Sequence, residues 1–346
     1  MAAQHDNGDH GPSIWWWAFG YFAAYAPYAA LTKLVTSGRI ANDGAPPTGT
    51  EILPVSVIAT VLTAAAFLWG TGWWRRALKP VGKGGLRLPL PSSLTALSGL
   101  CSAGIICTTT LAYTFEGVSI IFVMLLMRGG LLMLAPLIDA LTGRKIAWFS
   151  IAALVLSVVS LITATVLDDG EAKITWICAI DVALYLTCYF VRLQLMSRKA
   201  KSSEPGANLR YFVEEQLVSS PSLLIGLALW AAIGPGGFAD ELRDGFATML
   251  EQPVWPWVLL IGVLSQGTGI FGGLILLDRR ENTFCVPVNR ASSVLAGVLG
   301  TIGIWQLFGG KAPKASELIG AGLMIAAIAV LSYGGIRARR GAARTS

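Results

Sequence analysis

Charge is scarce in this sequence. Of 346 residues, 13% are charged and 54% hydrophobic, where a soluble domain carries roughly 25% charged residues. With a mean hydropathy of +0.63, the composition excludes a soluble globular domain and gives a chain that crosses a membrane repeatedly. Histidine is nearly missing: His5 and His10 both lie in the polar N-terminal stretch. The five cysteines, Cys101, Cys107, Cys178, Cys188 and Cys285, all fall inside apolar runs. Neither a disulfide framework nor a Cys/His metal site is implied. There is no HExxH, no P-loop and no dinucleotide fingerprint. The sequence therefore implies no enzyme, metal or cofactor, and no ATP-driven pump. The net charge of +6 is not a nucleic-acid signal, because the cations sit in short segments beside apolar runs. Residues 1–13 lack a basic leader, so no cleavable signal peptide is expected.

Two stretches stand out. Val118–Asp139 and Thr283–Leu307 are each long enough to span a bilayer as a helix, which takes about 20 residues. Each holds one mid-span cation, Arg128 in the first and Arg290 in the second. The two lie 162 positions apart, 290 less 128, and the same shift brings Phe122 onto Phe284, Leu137 onto Leu299 and Glu116 onto Asp278. A charge in hydrocarbon costs at least ~2.5–3.5 kcal/mol and must face protein or water. Arg128 and Arg290 are thus candidates to line a polar cavity for an anionic group, with satisfaction by a neighbouring helix as the alternative.

Ten spans are expected, at 14–36, 52–74, 93–115, 118–139, 147–167, 174–196, 211–233, 255–277, 283–307 and 315–336. Of the 26 Lys and Arg, 17 fall on the side of the termini, six on the other (counting Lys33 at the outer end of the first span), and three (Arg128, Arg192 and Arg290) deeper within spans. The bias orients the chain with both termini inside. Five spans per half make the halves an inverted repeat, a design of secondary transporters with the substrate near the midplane. The expected organisation is a cytoplasmic tail at 1–13, a ten-helix domain at 14–336 (repeat one 14–167, repeat two 174–336) and a basic cytoplasmic tail at 337–346. Residues 75–92 read as a Gly/Pro-rich cytoplasmic linker, and the outer segment 235–254 as a loop with a short surface helix.

Further candidates follow from helical spacing. Asp181, Tyr185, Cys188, Tyr189 and Arg192 share one face of span six. Asp181 is expected to pair with an arginine, bind a substrate ammonium or carry a proton. Arg192, near the inner end, is expected to snorkel. In span one, Tyr25 and Tyr28 are candidates beside Tyr21, while Trp15, Trp16 and Trp17 read as interfacial anchors. Asn289 flanks Arg290. Glu214 and Glu215 open span seven as gating or proton-coupling candidates, with interfacial solvation as the alternative. Gln266, beside Gly267 and Gly269, is a ligand or interhelical glue. Ser292, Ala296 and Gly300 in span nine, and Gly322 and Ala326 in span ten, are expected to pack tightly against neighbours.

The stretches FVMLLMRGGLLMLAPLIDALTGRK at 122–145 and NRASSVLAGVLG to GGKAPKASELIGAGLMIAAIAVLSYGG at 289–335 resemble the drug/metabolite transporter superfamily. The second is similar to that family's closing pattern: a Gly/Lys turn, an acid at Glu317, then Ile319-Gly320 opening the last helix. The resemblance implies ten helices in two inverted five-helix repeats. It also implies a cavity lined mainly by the first, third, fourth, sixth, eighth and ninth helices, and export or exchange of small metabolites. The expectation is an all-α integral protein of a bacterial-type inner membrane, a secondary transporter for a small anionic or zwitterionic metabolite. Its partners are the solute and the bilayer, with a homodimer left open and no nucleic acid. The alternative is a lipid flippase or scramblase binding an anionic headgroup at the same arginines.

Overall fold

The computed structural model describes residues 14–40, 45–81, 86–112, 115, 123, 126–131, 148–166, 176–200, 206–278 and 282–345. These residues are overwhelmingly helical. The first helix, α1 (Ile14–Thr36), is followed by α2 (Gly49–Thr71) and α3 (Ser93–Ala112). A helical segment at 126–131 carries Arg128. Then come α4 (Trp148–Val166), α5 (Trp176–Lys199) and α6 (Ala207–Ile233). The chain continues with α7 (Gly237–Ala247), α8 (Trp255–Leu277), α9 (Asn282–Phe308) and α10 (Ala315–Thr345). Among the described residues six helical stretches, in α2, α3, α5, α6, α8 and α9, are long and apolar enough to cross a membrane, as expected of an integral membrane protein. The fourth expected span, 118–139, lies mostly outside the described residues.

Local chemistry explains where the elements differ from expectation. α2 starts three residues before the expected 52 because Thr48 and Glu51 form a capping box. The Glu51 N–H donates to Thr48 Oγ1 at 3.2 Å and the Thr48 N–H to Glu51 Oε2 at 2.8 Å. It stops at Thr71 because Gly72 takes the left-handed conformation, φ 68°. The described parts of the expected linker form regular structure instead: a 3-10 turn, Trp73–Ala77, leads into two paired antiparallel strands, β1 (Leu78–Val81) and β2 (Leu86–Pro89), with Leu78 opposite Pro89. Lys79 of β1 reaches Glu214 on α6 at 2.9 Å, which ties the strand pair to the helices. The surface helix expected within 235–254 is α7. The last helix does not stop at 336 but runs through Thr345, so residues 337–345 of the expected tail continue it.

Packing follows small residues. α1 lies against α8 and α9, α3 against α5 and α6, α2 against α8 and α6, and α4 against α10. Gly262 on α8 abuts the Ser56 carbonyl of α2, and a Cβ there would also stand 2.7 Å from that of Ala59. On α3, a Cβ at Gly99 would come within 2.6 Å of the Val218 Cβ and 3.1 Å of the Glu215 carbonyl oxygen on α6. In α9, Ala296 is buried and Gly300 faces the Ala26 carbonyl of α1, as the spacing suggests. Gly322 and Ala326 behave otherwise. Both are exposed, because α10 is anchored by its opposite face, where Ala321, Met324 and Ile328 are buried and the Gly320 carbonyl accepts from Ser160 Oγ at 2.7 Å.

Candidate binding site at a tyrosine and arginine cluster

The largest apolar cluster among the described residues includes five tyrosines. Tyr21, Tyr25 and Tyr28 descend one face of α1, and Tyr185 and Tyr189 one face of α5; all five are buried. Their rings contact one another, with centroids 5.2 Å apart for Tyr21 and Tyr25, 5.8 Å for Tyr25 and Tyr28 and 4.8 Å for Tyr185 and Tyr189. Buried phenols need partners for their hydroxyls. Tyr28 shares a 2.8 Å hydrogen bond with Thr110. Tyr25 and Tyr185 are met by arginine.

Arg128 and Arg290 are 1% and 0% exposed. Arg128 donates from Nη1 to the Tyr185 hydroxyl and from Nη2 to the Tyr25 hydroxyl at 2.5 Å. Arg290 donates from Nη1 to the same Tyr185 hydroxyl at 3.4 Å. The Arg128 guanidinium lies 5.3 Å from the Tyr25 ring and 5.5 Å from that of Tyr185, and the Arg290 guanidinium 4.8 Å from that of Tyr189. Such cation–π contacts contribute about 2 kcal/mol each when desolvated. That does not offset the several kcal/mol of desolvation per buried ion. Among the described residues neither arginine forms an ion pair. Arg128 Nε and Arg290 Nε and Nη2 are likewise buried without a hydrogen-bond partner among these residues. Two cations thus converge on one phenol oxygen with donors to spare.

A cavity of about 70 Å³ opens beside this cluster, room for several water-sized groups. Its wall includes Tyr25, Tyr28, Arg128 and Tyr189, and beyond them Asn289, Gln216 and Gln266. Arg290 is not on that wall; Tyr189, whose ring it contacts, is. The expectation that both guanidinium groups reach one cavity is therefore corrected for Arg290. Asn289 Nδ2 donates to the Gly272 carbonyl at 3.4 Å. Gly272 permits this approach, since a Cβ there would stand 2.9 Å from Tyr21 and 3.3 Å from Asn289 Nδ2. Gln266 Nε2 donates to Gln216 Oε1 at 2.8 Å, and Ser220 Oγ to Gln266 Oε1 at 3.5 Å. Gln266 therefore both lines the cavity and links α8 to α6. Helical spacing alone does not single out Gln216, although its place as a third polar residue directly after Glu214 and Glu215 in an apolar span marks it.

The two acids of α6 are paired. Arg192 is buried and does not snorkel: its Nε and Nη2 donate to Glu215 Oε1 and Oε2, each at 2.8 Å. Ser98 Oγ donates to Glu215 Oε1 at 2.5 Å and accepts from the Tyr211 hydroxyl at 2.6 Å. Glu214 accepts from the Ser92 N–H, Thr95 Oγ1, Lys79 Nζ and Arg210 Nε, at 2.9, 2.7, 2.9 and 3.0 Å. Interfacial solvation therefore does not account for either acid. Asp181 stands apart. It is 7% exposed, its Oδ2 has no partner, it forms no ion pair among the described residues, and it is not on the cavity wall. The expected pairing with an arginine is not formed, because Arg192 is taken by Glu215 and Arg128 and Arg290 are turned to the tyrosines.

No protein-family model matches the chain, and no curated protein matches it. A solved chain described only as "Crystal structure of protein" superposes with a TM-score of 0.49 at 14% identity, covering 94% of this chain and 98% of its own. A likeness of that size carries no functional argument.

Proposed function

We propose that the protein is a secondary transporter that binds a small organic anion, zwitterions included, in the cavity beside Arg128. One observation carries this: Arg128 and Arg290 are buried against the Tyr185 hydroxyl with unpartnered donors and, among the described residues, no carboxylate paired with them. A bound anion would offset the repulsion between two cations in a medium of low dielectric. Aromatic rings hold the guanidinium groups in place without cancelling their charge.

The packing supports two halves related by exchange. α1 on α8 and α5 on α3 are the same contact if the two five-span halves are interchanged, as are α2 on α8 and α6 on α3. Gly99 and Gly262, which open two of those contacts, are 163 positions apart, nearly the 162 between Arg128 and Arg290. This fits ten helices in inverted repeats, alternating access, and the drug/metabolite transporter type that the sequence resembles. The 17-to-6 bias of Lys and Arg supports both termini on the cytoplasmic side of a bacterial-type inner membrane.

The test is equilibrium binding of radiolabelled small carboxylates and phosphate esters to purified protein, followed by uptake into proteoliposomes. Wild-type protein should bind and move at least one of them, and Arg128→Gln should bind none. Wild-type affinity in a monodisperse Arg128→Gln, Arg290→Gln double variant would overturn the proposal.

A further inference from the structure

The cavity wall is not uniformly basic. Two of its other residues carry buried polar atoms without a partner among the described residues, Asn289 Oδ1 and Ser102 Oγ, beside the likewise unpartnered Arg128 Nε. All three side chains are at least nine-tenths buried. The orientation of the Asn289 amide follows from its neighbour. Its Nδ2 faces the Gly272 carbonyl, which can only accept, so the other amide atom is an oxygen and can only accept too. An acceptor cannot be satisfied by an anion. Leaving it unpaired in a buried site costs about 1–3 kcal/mol. The same wall therefore offers a cationic donor from Arg128 and a fixed acceptor from Asn289, with a Ser102 hydroxyl able to play either part.

From this pairing we infer that the ligand carries a hydrogen-bond donor as well as an anion: a hydroxylated or amino-bearing small acid rather than a plain one. The inference rests on the anion-binding role proposed above for the same cavity. The anionic end meets Arg128. The O–H or N–H end donates to Asn289 Oδ1. Ser102, on α3, is free to donate to a second oxygen or accept from a second donor. An apolar anion of equal size would strand the Asn289 oxygen, and a site built around a polar partner discriminates strongly against the analogue that lacks it. The small volume, about 70 Å³, confines the choice to compact solutes.

Matched probes separate the two levels. Calorimetric titration of wild-type protein compares 2-hydroxypropanoate with propanoate, and glycerol phosphate with propyl phosphate. The hydroxylated member of at least one pair should bind tenfold or more tightly than its partner. Asn289→Leu, of similar volume, should bring that ratio close to one, and Ser102→Ala should lower it less. Equal affinities within both pairs in wild-type protein would overturn the inference and leave the anion site standing. No binding of any probe to monodisperse wild-type protein would overturn both. The wild-type ratio decides the matter even if Asn289→Leu fails to fold.

Discussion

Arg192 on α5 and Glu215 on α6 meet in a two-point ion pair, Nε to Oε1 and Nη2 to Oε2, both at 2.8 Å. Arg192 also lines the cavity. The pair therefore joins two helices at the cavity wall, and α3 is drawn in through Ser98.

Removing one partner should be costly. Glu215→Gln leaves Arg192 buried without its counter-charge, and a broken buried pair typically loses about 3–5 kcal/mol. Thermal unfolding of the purified variant should show a clear loss, and the double variant Arg192→Met, Glu215→Leu should recover much of it. A double variant no more stable than Glu215→Gln would mean that the hydrogen bonds from Ser98, not the charge, are what matters there.

Tyr185 is buried away from the cavity wall, yet its hydroxyl receives both arginines. Tyr185→Phe removes an acceptor from two charged donors and should destabilise the protein by about 1.5–3 kcal/mol. It should also weaken binding of an anionic probe while leaving the preference between hydroxylated and plain acids in place. Unaltered affinity with lowered stability would confine Tyr185 to a structural role.

Gly262 and Gly322 form a matched contrast. Gly262→Ala forces a methyl against the Ser56 carbonyl and Ala59 at the α2–α8 contact; overpacking of this kind costs about 1–3 kcal/mol. Gly322→Ala enters open space and should lie within about 0.5 kcal/mol of wild type. Parallel melting curves of the two variants test this, and equal destabilisation would contradict it.

Sidedness is open to chemical labelling. In a cysteine-free background, Asp240→Cys should react with an impermeant maleimide on intact cells. Arg75→Cys should react only after the membrane is opened. The reverse pattern would invert the orientation given by the cation bias.

Much of the site was legible because helical spacing is simple. Tyr21, Tyr25 and Tyr28 fall on one face by their intervals alone, and so do Tyr185, Tyr189 and Arg192. Intramembrane arginines announce themselves by their cost. Partner choice was not legible. Arg192 lies close enough to a helix end to snorkel, and only the position of α6 beside it brings Glu215 within reach. The same holds for Asp181: its spacing matches the tyrosine face, but nothing in the spacing says which cations are already engaged. The strand pair of β1 and β2 was hidden because its Gly and Pro content reads as a linker. What holds it is a distant contact, Lys79 with Glu214. Gly322 and Ala326 have the small-residue pattern of a packed face, and only the placement of α10 against α4 shows that face to be turned outward.

The final helix has a consequence of its own. α10 runs for 31 residues, about 46 Å at 1.5 Å per residue, while a bilayer core needs about 30 Å. Its last turns hold Arg337, Arg339, Arg340 and Arg344. A helix of that length laid across a bilayer would therefore carry about 16 Å of backbone past the hydrocarbon as a rod.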